Sequence, residues 1–80
     1  MKLSTLIKAA GRELGMRRAV YPNRVAANKM RPAAAAEEIA SMETIHAILK
    51  AISESPTLRE GIAAAGIILE PEQPKQAEML

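Results

Sequence analysis

The chain has 80 residues, 49% of them hydrophobic, with no cysteine, a single aromatic residue (Tyr21) and a formal net charge of +2. That length holds one domain at most, near the lower limit for a self-sufficient core, and the lack of cysteine excludes disulfides and thiolate zinc sites. Without Phe or Trp the core must come from Leu, Ile, Val, Met and Ala, a set that suits helix-on-helix packing better than a sheet.

Leu3, Leu6, Ile7, Ala10, Leu14 and Tyr21 share a narrow arc at helical spacing, which predicts an amphipathic helix over about residues 4–20. Ser4 is placed to cap its start. Gly11 and Gly15 lie inside it, each costing roughly 1 kcal/mol relative to alanine, and are places where a second helix can come close. Pro22 disfavours helical geometry at Tyr21, so this helix is expected to stop near Val20. Arg17 and Arg18 then fall in its last turn, where the helix dipole favours positive charge.

Pro22 suits the first position of a short second helix over about 22–28, with Asn28 as its left-handed terminator. Pro32 opens the longest helix, about 32–53. There Ala35, Ile39, Met42, Ile45, Leu49 and Ile52 form a broad apolar stripe. Ser55 before Pro56, or Thr57 paired with Glu60, starts a last helix over about 56–68. Its stripe is Leu58, Ile62 and Ala65, with Gly66 as a stop signal. The run Ile67-Ile68-Leu69 must find cover, on the bundle or on a partner. Residues 70–80 read as a flexible acidic tail after a single helical domain, 1–69.

The expected fold is thus all-α, a compact bundle of three to four helices. Its core residues are Leu6, Leu14, Tyr21, Ile39, Met42, Ile45, Leu49 and Ile52. With so little aromatic area to bury, the monomer should be marginally stable, and a homodimer is a fair expectation.

Charge is distributed unevenly. Residues 1–31 carry eight Lys/Arg against Glu13 alone (+7), whereas residues 32–80 carry three against eight glutamates (−5). If the first and longest helices run antiparallel, Arg17 or Arg18 meets Glu37 or Glu38 as a structural ion pair. Arg24, Lys29 and Arg31, with Arg12, lack an evident partner and are the candidates for binding another molecule. A helix-turn-helix reading fails on chemistry, because the would-be recognition helix opens Pro32-Ala33-Ala34-Ala35-Ala36-Glu37-Glu38 and its carboxylates repel phosphate. One tyrosine cannot form a stacking platform for single strands.

Enzymatic chemistry is not expected. The chain lacks a nucleophilic cysteine, any aspartate and a glycine-rich phosphate loop, and its one histidine, His46, has no second metal ligand, so neither metal nor cofactor is implied. No apolar run approaches the ~18 residues of a membrane span, and Lys8 cuts the first apolar run short of a secretory core. A cytoplasmic protein is the simplest expectation.

Two stretches carry a resemblance. Met16, Arg17, Arg18, Val20, Tyr21 and Pro22 match Met-Arg-Arg-x-Val-Tyr-Pro, and Val25, Ala26, Ala27, Lys29 and Met30 match a Val-Ala-Ala-Gly-Lys-Met-like stretch. Glu38, Ile39, Met42, Glu43 and Ile45 then match Glu-Ile-x-x-Met-Glu-x-Ile. Over about residues 13–49 the chain resembles a group of small uncharacterised proteins encoded by bacteriophages and prophages. It departs from that pattern at Asn28, where the group tends to have glycine, and at Arg31, where it tends to have a Ser or Thr cap. The resemblance implies a phage accessory protein in the host cytoplasm, non-catalytic, that binds and modulates, typically by inhibiting, a host or phage protein. Two alternatives stand beside it: a nucleic-acid-associated protein using the basic 12–31 region, and membrane-surface binding through the 1–18 amphipathic helix.

Overall fold

The computed structural model describes residues 1–70. It contains α1 (Leu3–Ala26), α2 (Pro32–Glu54) and α3 (Pro56–Ala64). Among the described residues there is no strand, only an isolated bridge between Lys2 and Glu70. The chain is all-α. Most of the expected acidic tail, residues 71–80, lies outside the described residues.

The first difference from expectation is at Pro22. No break occurs there, and the two expected helices, 4–20 and 22–28, are one. Proline costs a helix interior about 3 kcal/mol through its lost N–H and the clash with the preceding turn. Tyr21 and Val25, both half-buried, continue the stripe that faces α2. Full burial of such side chains is worth about 1.5–3 kcal/mol each, so two half-buried ones offset a large part of that cost. Arg17 and Arg18 are consequently mid-helix residues, and the basic residue in the last turn is Arg24.

α1 stops where Asn28 takes φ 61. The Asn28 amide donates to the Val25 carbonyl at 3.0 Å and the Lys29 amide to the Arg24 carbonyl at 2.9 Å, the bond pair of a Schellman end. α3 ends the same way at Gly66, φ 85, with the Ile67 amide donating to the Ile62 carbonyl at 3.2 Å. It therefore closes four residues short of the expected limit. α1 is preceded by Lys2 without a side-chain cap, so Ser4 lies inside the helix rather than before it. Of the two proposed starts for α3, Ser55 is the one used, its hydroxyl oxygen accepting from the Leu58 amide at 3.3 Å.

α1 and α2 form an antiparallel hairpin. Ala10, Leu14 and Met42 are the buried centre of the seam, with Ile39 and Leu49 packed around them. Leu3, Ala35 and Ile52 extend it along the two helices. Leu6 and Tyr21 are half-buried. Ile45, expected in the core, is instead 46% exposed, because its position lies on the flank of α2 and no second layer covers it. The Leu58–Ile62–Ala65 stripe of α3 is likewise not buried: α3 touches α2 alone and has no fully covered residue.

The molecule is elongated, 54 × 31 × 17 Å, with a radius of gyration of 16.7 Å. A compact domain of this length would have about 12 Å. The expected compact bundle is thus a hairpin with a short third helix folded beside one end.

Candidate functional site: the seam and the basic bend

Arg17 projects from α1 across the seam. Its Nε donates to Glu13 Oε1 at 2.9 Å, and one terminal nitrogen donates to the Glu38 carbonyl at 2.7 Å and to Glu38 Oε2 at 3.2 Å. Its side chain is only 19% exposed. The Glu13 hydrogen bond, opposed by desolvation, raises its pKa, so the guanidinium stays charged at any working pH. A planar fork serving a side chain and a backbone carbonyl at once ties register as well as charge. Arg18, one residue on, leaves by the other side of the seam and pairs with Glu43. It does not reach Glu37 or Glu38. Glu37 makes no ion pair among the described residues; its carbonyl accepts from Ser41 Oγ at 2.8 Å.

The bend is chemically different. Arg24, Lys29 and Arg31 are exposed, and none has an ion pair or side-chain hydrogen bond among the described residues. Lys29 and Arg31, but not Arg24, line a shallow hollow of about 300 Å³ together with Val25, Asn28, Met30 and Pro32. The Schellman end brings Lys29 back over the last turn of α1. Arg31 precedes α2 without capping it, so its charge is not spent on the helix start. The uncapped first turn of α2 adds the positive end of a helix dipole to the same spot. Three cations, a dipole and no acid make a concentrated positive end. Arg12 is not part of it: it is exposed on α1, twelve residues before Arg24, or about 18 Å along the helix.

His46 is half-buried, its Nε2 only 3.4 Å from where a Cβ on Gly11 would sit, whereas Gly15 faces open space. Gly11 is therefore the point of close approach between the helices. Among the described residues no group of three His, Cys, Asp or Glu is placed to hold a metal ion.

A larger cleft, about 730 Å³, opens between the first turns of α1, α3 and the 67–70 segment. Leu3, Ile7, Ile62, Ile67 and Leu69 make it apolar, and Arg59 stands in its lining, held by a 3.1 Å hydrogen bond to the Ser53 carbonyl. The Ile67-Ile68-Leu69 run was the sequence signal for this feature. Its cover is partial: Leu69 is half-buried, while Ile68 is 86% exposed.

Comparison with protein-family models, with curated proteins and with solved structures finds no match. The reading of the site therefore stands on its geometry.

Proposed function

We propose that this chain is a non-catalytic accessory protein of the phage or prophage type, acting in the host cytoplasm by binding a protein partner and modulating, by inhibition, what that partner does. The contact is the basic bend, and it fits an acidic surface on a host or phage protein. One observation carries this reading. The cations of α1 that lie on the seam are taken up by Glu13, Glu38 and Glu43, while Arg24, Lys29 and Arg31 are left with solvent alone among the described residues. Charges held together without internal partners raise the local potential and steer an oppositely charged surface.

The membrane-surface alternative loses its main support, since Leu3, Ala10 and Leu14, the apolar residues it would need, are buried in the seam. No helix among the described residues is long and apolar enough to cross a membrane.

The test is an affinity pull-down from host lysate with three baits: wild type, Arg24→Glu/Arg31→Glu, and Arg12→Glu. The bend variant should lose proteins that wild type and the Arg12 variant both retain. Identical recoveries from all three would remove the bend from consideration. Recovery of nucleic acid in place of protein, falling steeply with salt, would move the same surface to the nucleic-acid reading.

A further inference from the structure

The two flanks of the hairpin differ in kind. Glu13 of α1 and Glu38 of α2 meet at Arg17, which marks one flank. At a spacing of seven, helical residues return to nearly the same side. Leu6 and Val20 therefore share a side with Glu13, and Ile45 and Ile52 share one with Glu38. Met16 and Ile48 lie three residues on from Glu13 and Ile45, widening the same strip. Of these, Val20, Ile45, Met16 and Ile48 are 40%, 46%, 49% and 54% exposed. The only charges near the middle of this flank are already paired with one another. The other flank carries the Arg18–Glu43 pair, with Lys50 seven residues on from Glu43.

We infer that the Val20–Ile45 flank is the face on which two copies of this chain pack, antiparallel, into a four-helix bundle. Two observations favour a second copy as the occupant. No side chain of the hairpin is fully buried, and a second layer supplies what is missing. The area also fits. Helices of 23 and 24 residues are about 35 Å long, and a face two helices wide covers about 700 Å² per copy, or about 1,400 Å² for the pair. Stable interfaces bury about 1,200–2,000 Å².

Charge selects the direction. A parallel pair would bring two basic bends, each with Arg24, Lys29 and Arg31, to the same end. The antiparallel pair separates them, and a two-fold axis across the helices, level with Leu14 and Met42, puts the Met16–Val20 patch of one copy in the same layers of the bundle as the Ile45–Ile48 patch of the other. The dimer then offers two bends at opposite ends of one rod. This self-association is independent of any partner at the bend.

Sedimentation equilibrium of the full chain tests it, with wild type expected at twice the chain mass at micromolar concentration. Ile45→Glu/Ile48→Glu should weaken association at least 100-fold, and Lys50→Glu, on the other flank and exposed, should leave it unchanged. A monomeric wild type, or a double variant that associates as wild type does, would overturn the inference. Because the double variant can unfold instead of dissociating, cysteine cross-linking gives a second reading; the chain has no native cysteine. Under mild oxidation Met16→Cys chains, whose Cys lies close to the two-fold axis where α1 stacks on its own copy, should form the disulfide dimer in high yield, with Lys50→Cys giving little. Failure of Met16→Cys to cross-link would overturn the antiparallel arrangement.

Discussion

Arginine is used in two opposite ways within one turn of this hairpin and the next. At the seam, Arg17 is drawn in and shared between Glu13, Glu38 and a backbone carbonyl. At the bend, Arg24 and Arg31 are exposed and unpaired among the described residues. The difference is one of local company. The seam lies where α1 passes the glutamates of the early and middle turns of α2, so each cation finds a carboxylate. The bend lies beyond the first of those glutamates, between a helix end and Pro32, and no carboxylate pairs with its cations among the described residues. A charge that meets its counter-charge inside the chain contributes register; one that does not is available to another molecule.

Substitutions break or sharpen that contrast. The largest effect is expected at the seam's apolar centre: Leu14→Ala, next to Ala10 and Met42, should cost about 2–4 kcal/mol. In a domain this small that is a large share of the total, so the thermal transition followed by circular dichroism should fall well below that of wild type. Arg31→Ser separates the two regions in a single variant. It puts a good capping side chain before Pro32, where none acts now, and should raise stability by about 1 kcal/mol in urea unfolding while weakening capture of the partner. The smallest effect belongs to Arg24→Ala and Lys29→Ala, whose stabilities should stay within about 0.5 kcal/mol of wild type. A larger loss in that experiment would mean that the bend is structural and the contrast false.

Much of the hairpin was legible in the residues. The stripe from Leu3 to Leu14, the Pro32 start, the Asn28 terminator and the Ser55 cap all act through neighbours within four or five positions, and local rules see that far. Gly11 and Gly15 show where such rules stop. The two share a helix and a propensity, yet only Gly11 faces a neighbouring side chain, His46, and that depends on the phase of α1 against α2. The choice of Glu38 for Arg17 and Glu43 for Arg18 depends on the same phase. Nothing in the residues alone distinguishes those glutamates from Glu37.

Sequence by itself therefore determined the helical class, the positions of most helix ends and the concentration of unspent positive charge between residues 24 and 31, since each follows from short-range geometry and composition. Only the tertiary structure decided that α1 runs through Pro22, that Ile45 and Leu58 stay in contact with solvent, and that the chain is elongated rather than compact. Those outcomes turn on which surface each helix finds to pack against, and burial of that kind can override a local preference of a few kcal/mol.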